Sequence, residues 1–212
     1  MLQGNTIPEL FLQGGPLMWP LLVCALVGLA LLGERTLYFA RLRFEYDGFV
    51  AVVGRHVAAR EASAARSLCE RVRHPVARLA AVFLSLLDRA PEHRAEVLGR
   101  EGGHLLEAAR ARLSELRLVA RVAPLLGLLG TATGLAGSFW RIGQAAGPFQ
   151  PAELAVGMGA ALIPTVVGLG IAIPCSAAGH VFQDRVQRVA RQLACVVAEL
   201  EECAASAASG AP

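Results

Sequence analysis

The sequence contains no lysine; all 20 of its basic residues are arginine. That removes a phosphate-loop lysine, a Schiff-base amine and a biotin attachment site. No GxSxG or HExxH pattern occurs. Gly157-x-Gly159 and Gly168-x-Gly170 are only fragments of a dinucleotide fingerprint: the third glycine is missing and both lie in apolar runs. The five cysteines, Cys24, Cys69, Cys175, Cys195 and Cys203, show no CxxC spacing, so free thiols are expected and neither metal nor disulfides. The histidines, His56, His74, His93, His104 and His180, are scattered and read as surface or interface residues. An enzyme is not expected, nor any cofactor. A formal net charge of +3 spreads over arginines interleaved with 17 acids, so no basic stripe forms and no nucleic acid is implied.

Charge is also what three stretches lack. Leu10–Gly33, Val122–Trp140 and Leu154–Gln183 contain no Asp, Glu or Arg. At 1.5 Å per helical residue, each reaches across a hydrocarbon core of about 30 Å. The composition agrees, at 55% hydrophobic residues and a mean hydropathy of +0.50. Three spans in a lipid bilayer are predicted. A cleaved signal peptide would begin with a basic segment, and residues 1–34 hold no Arg, so the first run reads as a retained helix. Sixteen arginines fall in 35–121 and three after the third run, but only Arg141 lies between the second and third. Arginine stays on the cytoplasmic side, which places the N-terminus and the 141–152 loop outside and the C-terminus inside.

The predicted fold is therefore all-α, a polytopic membrane protein with three transmembrane helices, two of them long and extending into the cytoplasm. Its segments are a periplasmic N-terminus (1–15), a first span (16–38), a cytoplasmic helical region (39–118), a second span (119–140), a periplasmic loop (141–152), a third span (153–179) and a cytoplasmic helix and tail (180–212). The first helix is expected to continue to about residue 45, with one small helical region over 48–73. His74-Pro75 breaks the chain, since proline disfavours helix in the residue before it. An amphipathic helix follows over 76–88, and Pro91 opens another that runs unbroken into the second span. Leu106, Ala109, Leu113, Leu116 and Ala120 form one 3-4-3-4 seam, and Val186, Val189, Leu193, Val196 and Leu200 another. Such seams either hold one chain together or join subunits.

Small residues crowd the threonines of the second and third spans: Gly130-Thr131-Ala132-Thr133-Gly134 and Pro164-Thr165-Val166-Val167-Gly168. A threonine in a membrane helix commonly bonds back to its own helix. Thr131 and Thr165 instead read as pore-lining, and Thr133 and Ser138 as ordinary back-bonding hydroxyls. Gly127, Gly130, Gly134 and Gly168 allow close helix packing. Pro124, Pro164 and Pro174 free helix carbonyls that either serve a narrow pathway or simply accompany kinks. Glu153, two residues after Pro151, suits the start of a helix, where an acid meets the positive end of the dipole; the alternative is an entrance to a proton path.

The segments GGPLMWPLLVCALVGLALLGER (14–35), HPVARLAAVFL (74–84), APLLGLLGTATGL (123–135) and ALIPTVVGLGIAIP (161–174) together resemble the MotA/TolQ/ExbB proton channel family, its TolQ/ExbB branch in particular. The resemblance covers nearly the whole chain. It implies an ion-driven motor or energiser subunit: a homo-oligomer, in the family a pentamer, whose second and third spans line a pore. The pore holds an ExbD/TolR-like single-span partner whose membrane aspartate binds and releases protons. Work passes to a TonB- or TolA-like protein. The location implied is the bacterial inner membrane. Thr131 and Thr165 fall on the two family pore threonines. Family members carry a glutamate five residues before the third-span threonine; here that position is Ala160. Either the partner carboxylate does all the proton binding, or the chain is a non-conducting scaffold that assembles a partner. An unrelated three-span transporter would place a charged or broken-helix substrate site at mid-membrane, and no charge is found there.

Overall fold

A computed structural model of the protein describes residues 7–42, 45–144 and 151–209. Every regular element among them is an α-helix: α1 (Ile7–Gln13), α2 (Met18–Arg41), α3 (Tyr46–Ala58), α4 (Ala62–Arg71), α5 (Pro75–Ser85), α6 (Pro91–Arg110), α7 (Leu113–Gln144) and α8 (Pro151–Ser209). Three helical stretches are long and apolar enough to cross a membrane: α2, the stretch Pro91–Gln144 that contains α6 and α7, and Leu154–Ser206 within α8. The described residues form two compact units. One draws on the described residues within Met1–Arg35 and Arg112–His180, the other on those within Thr36–Ala111 and Val181–Pro212.

In the first unit, Met18, Leu21 and Ala123 are buried, with Phe11, Cys24, Leu126, Ile163, Val167 and Ile171 packed around them. The opposite side of α2 presents Trp19, Val23, Leu26 and Leu29 outward. So broad an apolar surface suits hydrocarbon and is rare on a protein meant for water. Glycine brings α7 and α8 together. A Cβ on Gly127 would lie 2.8 Å from both the Pro164 oxygen and the Thr165 Cα. One on Gly168 would lie 2.5 Å from the Ala123 oxygen, one on Gly130 2.6 Å from Pro164 Cβ, and one on Gly134 2.7 Å from Ala161 Cβ. Only glycine permits backbones this close.

The second unit has a conventional apolar core. Val50, Val53 and Val57 of α3, Cys69 of α4, and Val76, Leu79 and Phe83 of α5 meet Leu98 and Leu105 of α6 and one face of α8. That face carries Val189, Leu193, Val196 and Leu200 of the seam; Val186 is buried as well, and all five are at most 6% exposed. Each such large side chain contributes about 1.5–3 kcal/mol by leaving water. Burial also pushes the Cys69 thiol up to about 11, so it stays protonated and unreactive.

Several helix boundaries differ from the sequence expectation. The helix of the first span, α2, ends at Arg41, short of residue 45. The region 48–73 is two helices, because Arg60 takes a left-handed conformation (φ 60°) after α3. There Arg60 N–H donates to Val57 O and Glu61 N–H to His56 O, the paired bonds that terminate a helix and that glycine usually makes. His74 is extended (φ −130°, ψ 144°), as its position before Pro75 predicts, and it caps α5 by accepting the Val76 N–H at Nδ1. The helix expected to run unbroken from 91 into the second span is interrupted. Ala111 is extended (φ −49°, ψ 145°) and Arg112 left-handed (φ 64°). This break falls where the chain passes from one unit to the other. A left-handed conformation costs a non-glycine residue about 1–2 kcal/mol. Arg112 Nε lies 3.8 Å from Glu34 Oε1, but both side chains are about half exposed, so the pair offsets little of that cost. The buried face accordingly reads Leu105 and Ala109 before the break and Leu113, Leu116, Val119 and Ala123 after it.

Candidate functional site

The candidate site residues lie on α7 and α8 within the first unit. Thr165 donates its hydroxyl to the Gly127 carbonyl at 2.8 Å, from α8 to α7. In an α-helix the same carbonyl accepts the Thr131 amide, so one oxygen is shared by the two candidate threonines. Their hydroxyls behave differently. Thr131 bonds back to Leu128 O at 2.7 Å. Thr133 bonds back to Leu129 O at 2.9 Å, and Ser138 to Gly134 O at 2.9 Å. Thr131 thus shares the local habit of Thr133 and Ser138, and Thr165 makes the bond between helices. The Thr165 oxygen keeps its acceptor capacity after donating.

The glycines Gly127, Gly130, Gly134 and Gly168 are engaged inside one chain, by the contacts given above. The small-residue face therefore needs no second copy to cover it. What α7 and α8 leave exposed is apolar and larger: Leu125, Leu128 and Phe139 on α7, and Leu162, Val166 and Ile173 on α8.

Ala160 lines an open cavity of about 1060 Å³. Thr133, Ser138 and Arg141 of α7, Gly157 of α8 and the Gln13–Leu17 segment share its wall. Pro164 has no N–H, so the Ala160 carbonyl lacks its helical donor. Thr131 and Thr165 are not among the lining residues, so the structure does not join Ala160 and the two threonines in one cavity. Sequence reasoning missed that Arg141 and Gln13 share a cavity wall with Ala160; nothing in their local spacing ties them to a position on α8. Glu153 falls in the first turn of α8, but its side chain, like loop residues 145–150, lies outside the described residues. Among the described residues no three His, Cys, Asp or Glu side chains are grouped to hold a metal ion.

The profile of the MotA/TolQ/ExbB proton channel family matches residues 71–194. An ExbB-like biopolymer transport protein of Synechocystis is 35% identical over 77% of this chain and 65% of its own length. Biopolymer transport protein exbB1 of Vibrio cholerae is 29% identical over 89% of this chain and 84% of its own. An ExbB homologue of Methanothermobacter thermautotrophicus is 26% identical over 80% of this chain and 60% of its own. The chain thus spans less than two thirds of the length of the Synechocystis and Methanothermobacter relatives, 65% and 60%. The matched stretch includes both candidate threonines, the packed glycines and Ala160. With three membrane-competent helices and this agreement along the sequence, the chain belongs to the MotA/TolQ/ExbB proton channel family.

Proposed function

We propose that this chain is the ExbB/TolQ-like subunit of a motor driven by the proton-motive force in a bacterial inner membrane. Its N-terminus is periplasmic and its C-terminus cytoplasmic. Five copies surround an ExbD/TolR-like single-span partner, and the exposed apolar faces of α7 and α8 supply the subunit and partner contacts. Thr131 and Thr165 line the path, Glu153 is a helix-start acid outside it, and the partner's membrane aspartate is the proton carrier. The output is delivered to a TonB- or TolA-like protein.

The observation that carries this reading is chemical. Between Val122 and Trp140, and between Leu154 and Gly179, there is no acid, arginine or histidine. Hydroxyls relay a proton through water but cannot store one, so a stored proton has to ride on another chain. A second reading, a scaffold that assembles a partner without conducting, is favoured by Ala160 and by the Thr131 hydroxyl, which is satisfied within its own helix.

Assembly tests the proposal. The full chain, co-expressed with its single-span partner and released in mild detergent, should appear in native mass spectrometry as one closed ring of five with partner bound. A stable monomer that never captures the partner contradicts it.

A further inference from the structure

The second unit contains a cleft of about 340 Å³ that the proton-path reading does not use. Its apolar wall is Phe39, Leu42 and Val189; its polar members are His74, Arg185, Arg188 and Gln192. Arg185, Arg188 and Gln192 fall on one face of α8, at i, i+3 and i+7. The Arg185 guanidinium lies 5.9 Å from the centre of the Phe39 ring, itself stacked on Phe182 at 5.5 Å. A guanidinium held over a ring face by this attraction keeps its N–H edge free to donate. Among the described residues neither Arg185 nor Arg188 has a carboxylate within 4.0 Å, and no acid lines the cleft. Among the described residues, Arg94, over the Phe83 ring, does have one, 3.8 Å away in Glu201, and the buried Arg35 pairs with Glu34. Two arginines in a concave site without an acid are a site for an anion of net negative charge.

The place of the cleft names the anion. Phe39 is in the last turn of α2 and Leu42 immediately follows it, so the cleft stands at the end of a membrane-competent helix. In a bilayer that α2 crosses, the end of the helix lies near the depth of the lipid phosphates. Leu42 and Phe39 offer apolar contact beside the two guanidinium groups, a combination matched by a phosphodiester that carries acyl chains. We propose that this cleft binds the phosphate of an anionic phospholipid, with Arg185 and Arg188 as its donors and Gln192 as a neutral hydrogen-bonding partner. Zwitterionic lipid binds less well, because its own cation meets two arginines with no acid to receive it.

The test uses the full chain, solubilised and then exposed to mixed micelles containing phosphatidylglycerol or phosphatidylcholine, with bound lipid counted by native mass spectrometry. Phosphatidylglycerol should be retained preferentially. Arg185→Gln with Arg188→Gln should weaken that retention on the order of tenfold or more. Arg191→Gln, exposed on the same helix and outside the cleft, should leave it unchanged. Arg188→Gln alone leaves the Phe39–Arg185 stack intact and should still lower retention, which covers the case of a misfolded double variant. Equal retention by the double variant and the unaltered chain overturns the proposal. So does a site that takes inorganic phosphate and shows no preference for phosphatidylglycerol, which would make the ligand a free anion.

Discussion

The hydroxyl of Thr165 and the carbonyl of Gly127 join α8 to α7 by a 2.8 Å hydrogen bond at the point where Gly127 lets the two backbones touch. The Thr131 hydroxyl, on the other side of that carbonyl's helical bond, turns back to Leu128. The two family threonines therefore have different structural duties in one chain, and substitution separates them. Thr165→Val keeps the shape and removes the donor, and it should lower stability by about 1 kcal/mol. Thr131→Val and Thr133→Val should change stability much less. Unfolding in mild detergent titrated with a denaturing one measures this. Equal losses at Thr165 and Thr133 would show that the interhelical bond contributes nothing.

Gly168→Ala and Gly127→Ala push a methyl into backbone atoms of the facing helix, which cannot rotate away as a side chain can. Each should destabilise by about 1–3 kcal/mol. Gly137 has open space around its Cβ position, so Gly137→Ala should be neutral or mildly stabilising in the solubilised protein. The same detergent titration reads all three.

His74 gives the second unit a dependence on pH. Burial lowers its pKa to about 4, against 6.5 for a free imidazole. Its Nδ1 also accepts the Val76 N–H, which a protonated ring cannot do. The unfolded chain therefore binds this proton more readily than the folded one. Stability is fully present above pH 6.5 and declines as the pH falls toward about 4. His74→Asn keeps a capping acceptor and removes the titration. The fall in thermal midpoint between pH 6.5 and 4 should be smaller in this variant than in the unaltered chain; identical slopes would assign the fall to other groups.

At Ala160 the cavity leaves room for a longer side chain. Ala160→Glu should therefore fold and assemble, with some loss of stability and no gain in proton flux, whereas Ala161→Glu should fail to assemble. Ala161 also borders that cavity, but it is 5% exposed and its Cβ lies against Gly134 of α7, so a carboxylate there would have to displace the contact between the two helices. Comparing ring yield on size-exclusion chromatography distinguishes the two. Assembly of both to the same extent would contradict the packing described here.

How much of this was legible in the sequence follows from what each signal encodes. Absence of charge marks the spans directly, because a charged side chain in hydrocarbon is costly wherever the helix turns. The Val186–Leu200 seam is legible because its spacing has one solution on a helix, and all five residues are buried. The interruptions at Arg60 and Arg112 were not legible. Both put arginine in a conformation that favours glycine, in stretches with no glycine or proline to announce it, and tertiary packing decides them. The glycines show that a close approach exists but not which helix makes it. Only the structure reveals that Gly127 and Gly168 serve α7 and α8 of a single chain. The cavity at Ala160 was invisible for a related reason, since Gln13 and Arg141 are far from it in sequence.

The central claim is that the proton is carried by the partner and not by this chain. Purified chain reconstituted in liposomes with an internal pH-sensitive dye measures it most directly. Under an imposed pH gradient and potential, the chain alone should show no proton flux above that of empty liposomes. Addition of the single-span partner should produce a flux that the partner's Asp→Asn substitution abolishes. Flux through the chain alone, or flux that survives the partner substitution, would contradict the account.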